Sequence, residues 1–302
     1  MSAHAQAATA GAGPPGLMGP SNRRRVTDQV ARAVLLVLTL IALVPLVLVV
    51  YYVIKQGVGS WSADFFTKDP TGNFLEDQGG FKSAILGTIY MVVLATLVTV
   101  PLGMGVALWL TEYARAGTPG NIIRYLIDVL TGVPAVIFGI FIYITLVLSH
   151  ALGSGPAAWK GSLALGLLML PIVVRAAEVV LLLVPDALRE AALALGAPRW
   201  KVVTRVVLPA ARPGLVTGIL LAISRAAGET APLLFATTVV QATTFDPSAR
   251  MNALPTQIFQ NLASSSDPAQ ISRAWGGALV LLAMILVLNL FARLYSRRSR
   301  LR

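Results

Sequence analysis

Four charged side chains stand inside long apolar runs of this sequence: Arg175 and Glu178 in one, Arg225 and Glu229 in another. Spacings of three and four residues put each pair on one helix face, within reach of ion pairing. A charge at mid-bilayer costs about 3 kcal/mol on insertion scales, so such residues pair with one another, face a polar interior or line a pathway. Little other chemistry is on offer. The chain has no cysteine, which removes disulfides, thiolate metal sites and cysteine nucleophiles. The two histidines, His4 and His150, are far apart and lack ligand-like neighbours, so no metal site is expected. No Gly-Lys pair occurs, hence no G-x-x-x-x-G-K-S/T phosphate loop, and neither H-E-x-x-H nor G-x-S-x-G is present. The chain is therefore expected to be non-catalytic; if its work uses ATP, a partner hydrolyses it.

The elements that position these charges are membrane helices. The chain is 56% hydrophobic and 12% charged, against roughly 25% charged for a soluble domain. The run from Ala33 to Ile54 carries no charge, and about 20 apolar helical residues cross a bilayer core. A secretory signal has a shorter apolar region, about 7–15 residues, so this run reads as an uncleaved first helix. The expected fold is an all-α membrane protein of six transmembrane helices, near 33–54, 83–110, 124–148, 161–183, 214–238 and 276–294. Pro101, Pro134, Pro171 and Pro232 each interrupt one of them, which packed membrane helices tolerate because neighbours re-satisfy the freed carbonyl. Gly103, Gly105, Gly214 and Gly218 offer close helix contact. The expected organisation is a disordered cytoplasmic tail over 1–29, a first helix and outer loop over 30–75, and a core over 76–297 with a cytoplasmic loop at 184–213.

The formal charge of +11 belongs to topology rather than to nucleic-acid binding, because the basic residues cluster beside the spans. Arg23, Arg24, Arg25 and Arg32 precede the first; Arg115 and Arg124 lie between the second and third; Arg189, Arg199, Lys201, Arg205 and Arg212 follow the fourth; Arg293, Arg297, Arg298, Arg300 and Arg302 end the chain. By the positive-inside rule these face the cytoplasm, and both termini with them. Only Lys55, Lys68, Lys82, Lys160, Arg250 and Arg273 fall outside.

The segment 184–213 is long and basic yet patterned like structured protein. Asp186 is expected to cap a helix through Glu190-Ala191-Ala192. Gly196-Ala197-Pro198 breaks it, and a second short helix runs from Arg199 to stop at Pro209. Trp200, Val203 and Val207 would share one face of it. Taken alone, such a segment also fits an amphipathic helix resting on lipid headgroups.

The residues themselves narrow the choice. Glu190-Ala191-Ala192, then Gly196, then Val206-Val207-Leu208-Pro209 resembles the EAA signature of ABC importer permeases, with Val206 where Ile is usual. The resemblance implies a type I importer permease fold, in which this loop docks in a cleft of an ATPase subunit. It assigns ATPase coupling to Glu190, Ala191, Ala192, Gly196, Leu208 and Pro209, with Gly196 making the turn. Ser224-Arg225-Ala226-Ala227-Gly228-Glu229-Thr230 is similar to the R-A-x-G-E-T core of phosphate permeases, and the following Ala231-Pro232 resembles their A-type subunit. Gly79-Gly80 before Ala84-Ile85-Leu86-Gly87-Thr88, and Gly132-Val133-Pro134-Ala135, agree with it, the family often having Ser at the position of Ala135. The resemblance covers roughly residues 76–297. It implies a C-type permease partner, two ATP-binding subunits that hold ATP and Mg, a soluble or lipid-anchored phosphate-binding protein, and a place in the bacterial inner membrane. The chain itself would bind no cofactor.

On that reading Arg225, Glu229, Arg175 and Glu178 line the substrate pathway, a guanidinium fork suiting two oxygens of an anion. Arg175 lies about ten residues before Pro185 and Arg225 about ten after Leu215, roughly 15 Å of helix each, so a similar depth is expected for both. Two other readings stay open: an ABC permease for sulfate or molybdate, and a secondary transporter, which would show inverted repeats.

Overall fold

A computed structural model describes residues 22–71, 79–115, 117–149, 153, 155–263 and 267–299. The expected tail lies outside them as far as residue 21, and His150 lies outside them as well. All regular structure among the described residues is helical. The chain divides into two compact units, residues 1–52 and 53–302.

The first unit is the greater part of α1 (Asn22–Gly57). Residues 22–29, expected in the tail, are already helical. From Val26 to Val49 every side chain is exposed, Leu35, Ile41 and Val47 among them. A helix apolar on all sides is solvated by hydrocarbon rather than by water.

The second unit begins with a short helix α2 (Ala63–Thr67), capped by the Ser62 hydroxyl. Its centre is the pair α3 (Lys82–Leu108) and α6 (Ala158–Leu182). Met91, Ala95, Leu165 and Met169 form one apolar cluster between them. Gly103 and Val173 touch so closely that a Cβ on the glycine would sit 2.7 Å from Val173 Cγ1. Gly105, expected to do the same, meets nothing within 4 Å. Helix α3 ends in a π-helical turn, Trp109–Tyr113.

Two of the expected spans are broken. The third consists of α4 (Thr118–Gly132) and α5 (Ala135–Ile142), which meet at 97°. Val133 between them is extended, as a residue before proline is steered to be. Packing completes the corner: a Cβ on Gly139 of α5 would fall 2.6 Å from Pro232 Cα. The fifth is displaced. Helix α8 (Arg199–Val202) does not stop at Pro209 but continues through a π-helical turn, Val203–Val207, into α9 (Leu208–Ala227). The Leu208 amide donates five residues back to Val203. That wide turn lets Pro209 enter as a first-turn residue of α9, where a missing N–H costs nothing. The helix then breaks at Gly228, and a short α10 (Ala231–Ala236) follows. Helices α11 (Leu254–Ala263) and α12 (Pro268–Ser299) complete the chain. Among the described residues five helices are long and apolar enough to cross a membrane, and six if the bent pair α4–α5 counts as one span.

The loop from Thr237 to Ala253 is tied to the helix ends. The amides of Ala158 and Trp159 donate to Ala249 and Pro247, each at 3.0 Å, and Asp69 accepts from Thr243. Lys160, expected in an outer loop, is fully buried, its ammonium donating to the carbonyls of Leu146, Gly153 and Gly155.

Candidate functional site

Between α6 and α9 lies α7 (Asp186–Ala194), the helix that carries Glu190-Ala191-Ala192. Its end is built locally. Gly196 has φ +79°, donates to the Leu193 carbonyl at 2.9 Å, and is followed by Ala197 donating to Ala192 at 3.2 Å. This is a Schellman close, which needs a left-handed residue at the position Gly196 occupies. Its start differs from expectation. Pro185 takes the capping position and accepts no side-chain role, and Asp186 is the first helical residue. The Asp186 carboxylate instead binds Arg115 and Arg189, each at 2.9 Å. The hydrogen bond from Arg115 holds it below the usual carboxylate range.

Glu190 and Ala191 are exposed, and Leu188, Leu193, Leu195 and Trp200 present apolar surface around them. Ala192 turns inward with Val202, Val207, Leu208 and Leu215. Of the three residues expected to share a face, Val203 and Val207 are buried while Trp200 is exposed. Leu208 thus belongs to the internal packing beneath the loop, while Pro209 is exposed at the head of α9.

Arg189 holds α7 to the rest of the molecule. Its side chain is 8% exposed. All five donors of the guanidinium are used: Nε and Nη2 to Glu112 Oε1 at 3.2 and 3.0 Å, Nη2 to the Leu181 carbonyl at 2.9 Å, and Nη1 to the Val184 carbonyl at 2.6 Å and to Asp186 Oδ1 at 2.9 Å. The two carbonyls lie at the end of α6, Leu181 in its last turn and Val184 just beyond it. In the sequence Arg189 stands only as a topological charge.

The charges inside the spans form a larger set than the sequence pairs. Arg175 Nη1 donates to Glu178 Oε2 at 2.8 Å, as the spacing of three allows. Its Nε donates to Asp128 of α4 at 2.9 Å, and Nη2 reaches the same carboxylate. Arg124, also on α4, donates from Nε to Glu178 Oε1 at 2.6 Å and from Nη2 to the Leu110 carbonyl at 2.9 Å. Glu178 is nearly enclosed, its side chain 4% exposed. Two arginines and two carboxylates therefore tie α4 to α6. Asp128 was missed, although a carboxylate within an apolar run is the same signal that singled out Glu178. Arg124 opens the expected third span and stands in the sequence only as a cytoplasmic charge.

Arg225 stands apart. Its side chain is 61% exposed, with Glu229 at 3.4 Å. With Thr217 and Leu221 it recurs every fourth residue on the open side of α9. The equal depth expected of the two arginines is not found. A Cβ on Gly214 would meet Val180 at 2.6 Å, and one on Gly218 would meet Ala176 at 2.8 Å. That antiparallel register puts Arg225 level with Met169, and Ala226 does share a cluster with Met169. Arg175 is about six residues away along α6, roughly 9 Å of rise. It lines a groove of about 550 Å³ between α6 and α9, with Val179, Pro213 and Thr217; Arg225 does not.

Residues 99–301 match the family described as binding-protein-dependent transport system inner membrane component. The chain is similar to the phosphate transport system permease protein PstA of Mycobacterium leprae (strain TN), 39% identical over 90% of this chain and 89% of the relative. It is also similar to PstA of Pasteurella multocida (strain Pm70), 37% identical over 82% and 86%. Among solved structures, a bacterial alginate ABC transporter in complex with an alginate-bound periplasmic protein matches with a TM-score of 0.61 at 19% identity, covering 90% of this chain and 95% of that one. The inward-facing MetNI methionine ABC transporter matches with a TM-score of 0.59 at 17% identity, covering 72% and 94%. At those identities the structures establish the fold, that of type I ABC importer permeases.

Proposed function

Because this chain belongs with the PstA-type members of the binding-protein-dependent transport system inner membrane component family, we infer that it is a transmembrane permease subunit of an ATP-driven phosphate importer. The observation that carries the inference is similarity to phosphate permeases along nine-tenths of the chain, with the R-A-A-G-E-T segment placed at the break between α9 and α10. The chain works as a non-catalytic subunit in the inner membrane, with both termini in the cytoplasm. A C-type permease subunit completes the pathway, a phosphate-binding protein delivers the anion, and two ATPase subunits hold ATP and Mg.

In this reading Arg225 is the first contact for the anion. Its guanidinium is open, on a helix side free to face a second permease subunit, and Glu229 sits close enough to hold it when the site is empty. Arg175 lies nearer α7, already compensated by Asp128 and Glu178, and serves as a second, weaker station. The exposed face of α7, with Glu190, Ala191 and the leucines beside them, docks on the ATPase; Gly196 fixes its end, and Leu208 and Pro209 join it to α9. ATP-driven closure of the two ATPase subunits then moves α7 and opens the pathway to each side in turn. The test is uptake of labelled phosphate by the complete complex in proteoliposomes, with sulfate as competitor. ATP-dependent uptake that excess sulfate leaves unchanged supports the reading; uptake suppressed by sulfate overturns the choice of anion.

A further inference from the structure

Charged side chains link α7 to the end of α3. A cavity of about 280 Å³ separates the π-helical end of α3 from α7, lined by Glu112, Tyr113 and Arg115 on one side and by Asp186, Arg189 and Glu190 on the other. Glu112 and Arg189 meet across it, with both Nε and Nη2 on one carboxylate oxygen. The other donors of Arg189 are fixed on the end of α6 and on Asp186. A single guanidinium thus grips α7 itself and the ends of two membrane helices. Its receiving element is a π-helical turn, an irregularity that recurs at functional sites.

We propose that Arg189 is a positioning residue for transport, and that Glu112 receives from it the movement of α7 and passes that movement to α3. The proposal rests on the reading of α7 as the ATPase-docking helix. A lysine could not replace Arg189, since three donors on one nitrogen cannot span both carboxylates and both carbonyls.

The chain has no cysteine, so one thiol can report on the end of α3. Tyr113→Cys, at an exposed position beside Glu112, is placed in the otherwise intact complex with its partner subunits. The rate of its modification by a maleimide is compared with and without ATP. An ATP-dependent change of about fivefold, within the usual range of coupling between sites, is expected in the native background. In Glu112→Ala the change is lost while co-purification of the ATPase subunit and its rate of hydrolysis stay at native levels. Glu112→Gln, which keeps an acceptor oxygen, retains part of it. An ATP response that survives in Glu112→Ala overturns the proposal. So does loss of the ATPase subunit from that variant, which would make the contact a fold staple. Failure of the function reading is separate: the native complex would import no phosphate although the thiol still responds to ATP.

Discussion

Arg124 donates to Glu178 at 2.6 Å, joining α4 to α6 through a carboxylate whose other oxygen is held by Arg175. Glu178 is therefore not a spare counter-charge for one arginine but the shared centre of two. Its enclosure means that either arginine loses its desolvated partner when it is removed, whereas Asp128 is 60% exposed. These two carboxylates should differ sharply.

Glu178→Leu is expected to destabilise the chain by about 3 kcal/mol, the scale for removing one partner of a buried ion pair. Asp128→Asn should cost less than about 1 kcal/mol, as exposed pairs do. Thermal unfolding of each variant in detergent, followed by size-exclusion chromatography, measures the order. Equal losses would contradict the enclosed position of Glu178.

Arg225 gives the opposite pattern. With an open side chain and one loose contact, Arg225→Gln should cost less than about 1 kcal/mol of stability and assemble with its partners. Phosphate uptake should nevertheless fall more than about tenfold, since a charge-assisted hydrogen bond is worth some 1.5–3 kcal/mol. Arg225→Lys should be impaired as well, keeping the charge but losing the fork. If Arg225→Gln with Glu229→Gln transports phosphate at the native rate, the pair is a structural salt bridge and not an anion contact.

Gly196→Val tests the end of α7 through backbone conformation alone, because a Cβ there meets nothing within 4 Å. A left-handed residue with a side chain costs about 1–2 kcal/mol, and a β-branched one sits at the upper end. The variant should insert normally and recover less ATPase subunit on purification. Gly196→Asn, tolerated better in that conformation, should lie between. Native recovery with Val at this position would remove the Schellman close from the docking surface.

Orientation is checked with single thiols in a chain that lacks cysteine. Thr204→Cys, exposed beside α8, should be protected from an impermeant reagent in sealed cells, and Ser248→Cys, exposed in the loop after α10, should be labelled. Reversed labelling would put the EAA segment on the wrong side for an ATPase.

Features held by neighbours in sequence were legible from sequence. The turn at Gly196 needs only the carbonyls of Ala192 and Leu193, so residue type and spacing specify it. The Arg175–Glu178 contact lies within one helical turn and follows from geometry. The long apolar runs fix the membrane helices because hydrocarbon accepts nothing else. What the sequence could not convey is whatever depends on which helix lies beside which. Arg124 and Asp128 became partners of Glu178 and Arg175 only when α4 was packed on α6. Arg189 became more than a topological charge only when the end of α3 brought Glu112 to it. The level of Arg225 was set by glycines that lock α9 against α6 at Val180 and Ala176, overriding a depth counted from proline and leucine positions. The prolines show the same division: Pro101 and Pro171, expected to interrupt their spans, stand inside the continuous helices α3 and α6, Pro134 sits at a bend of 97°, and Pro209 passes without a break behind a π turn.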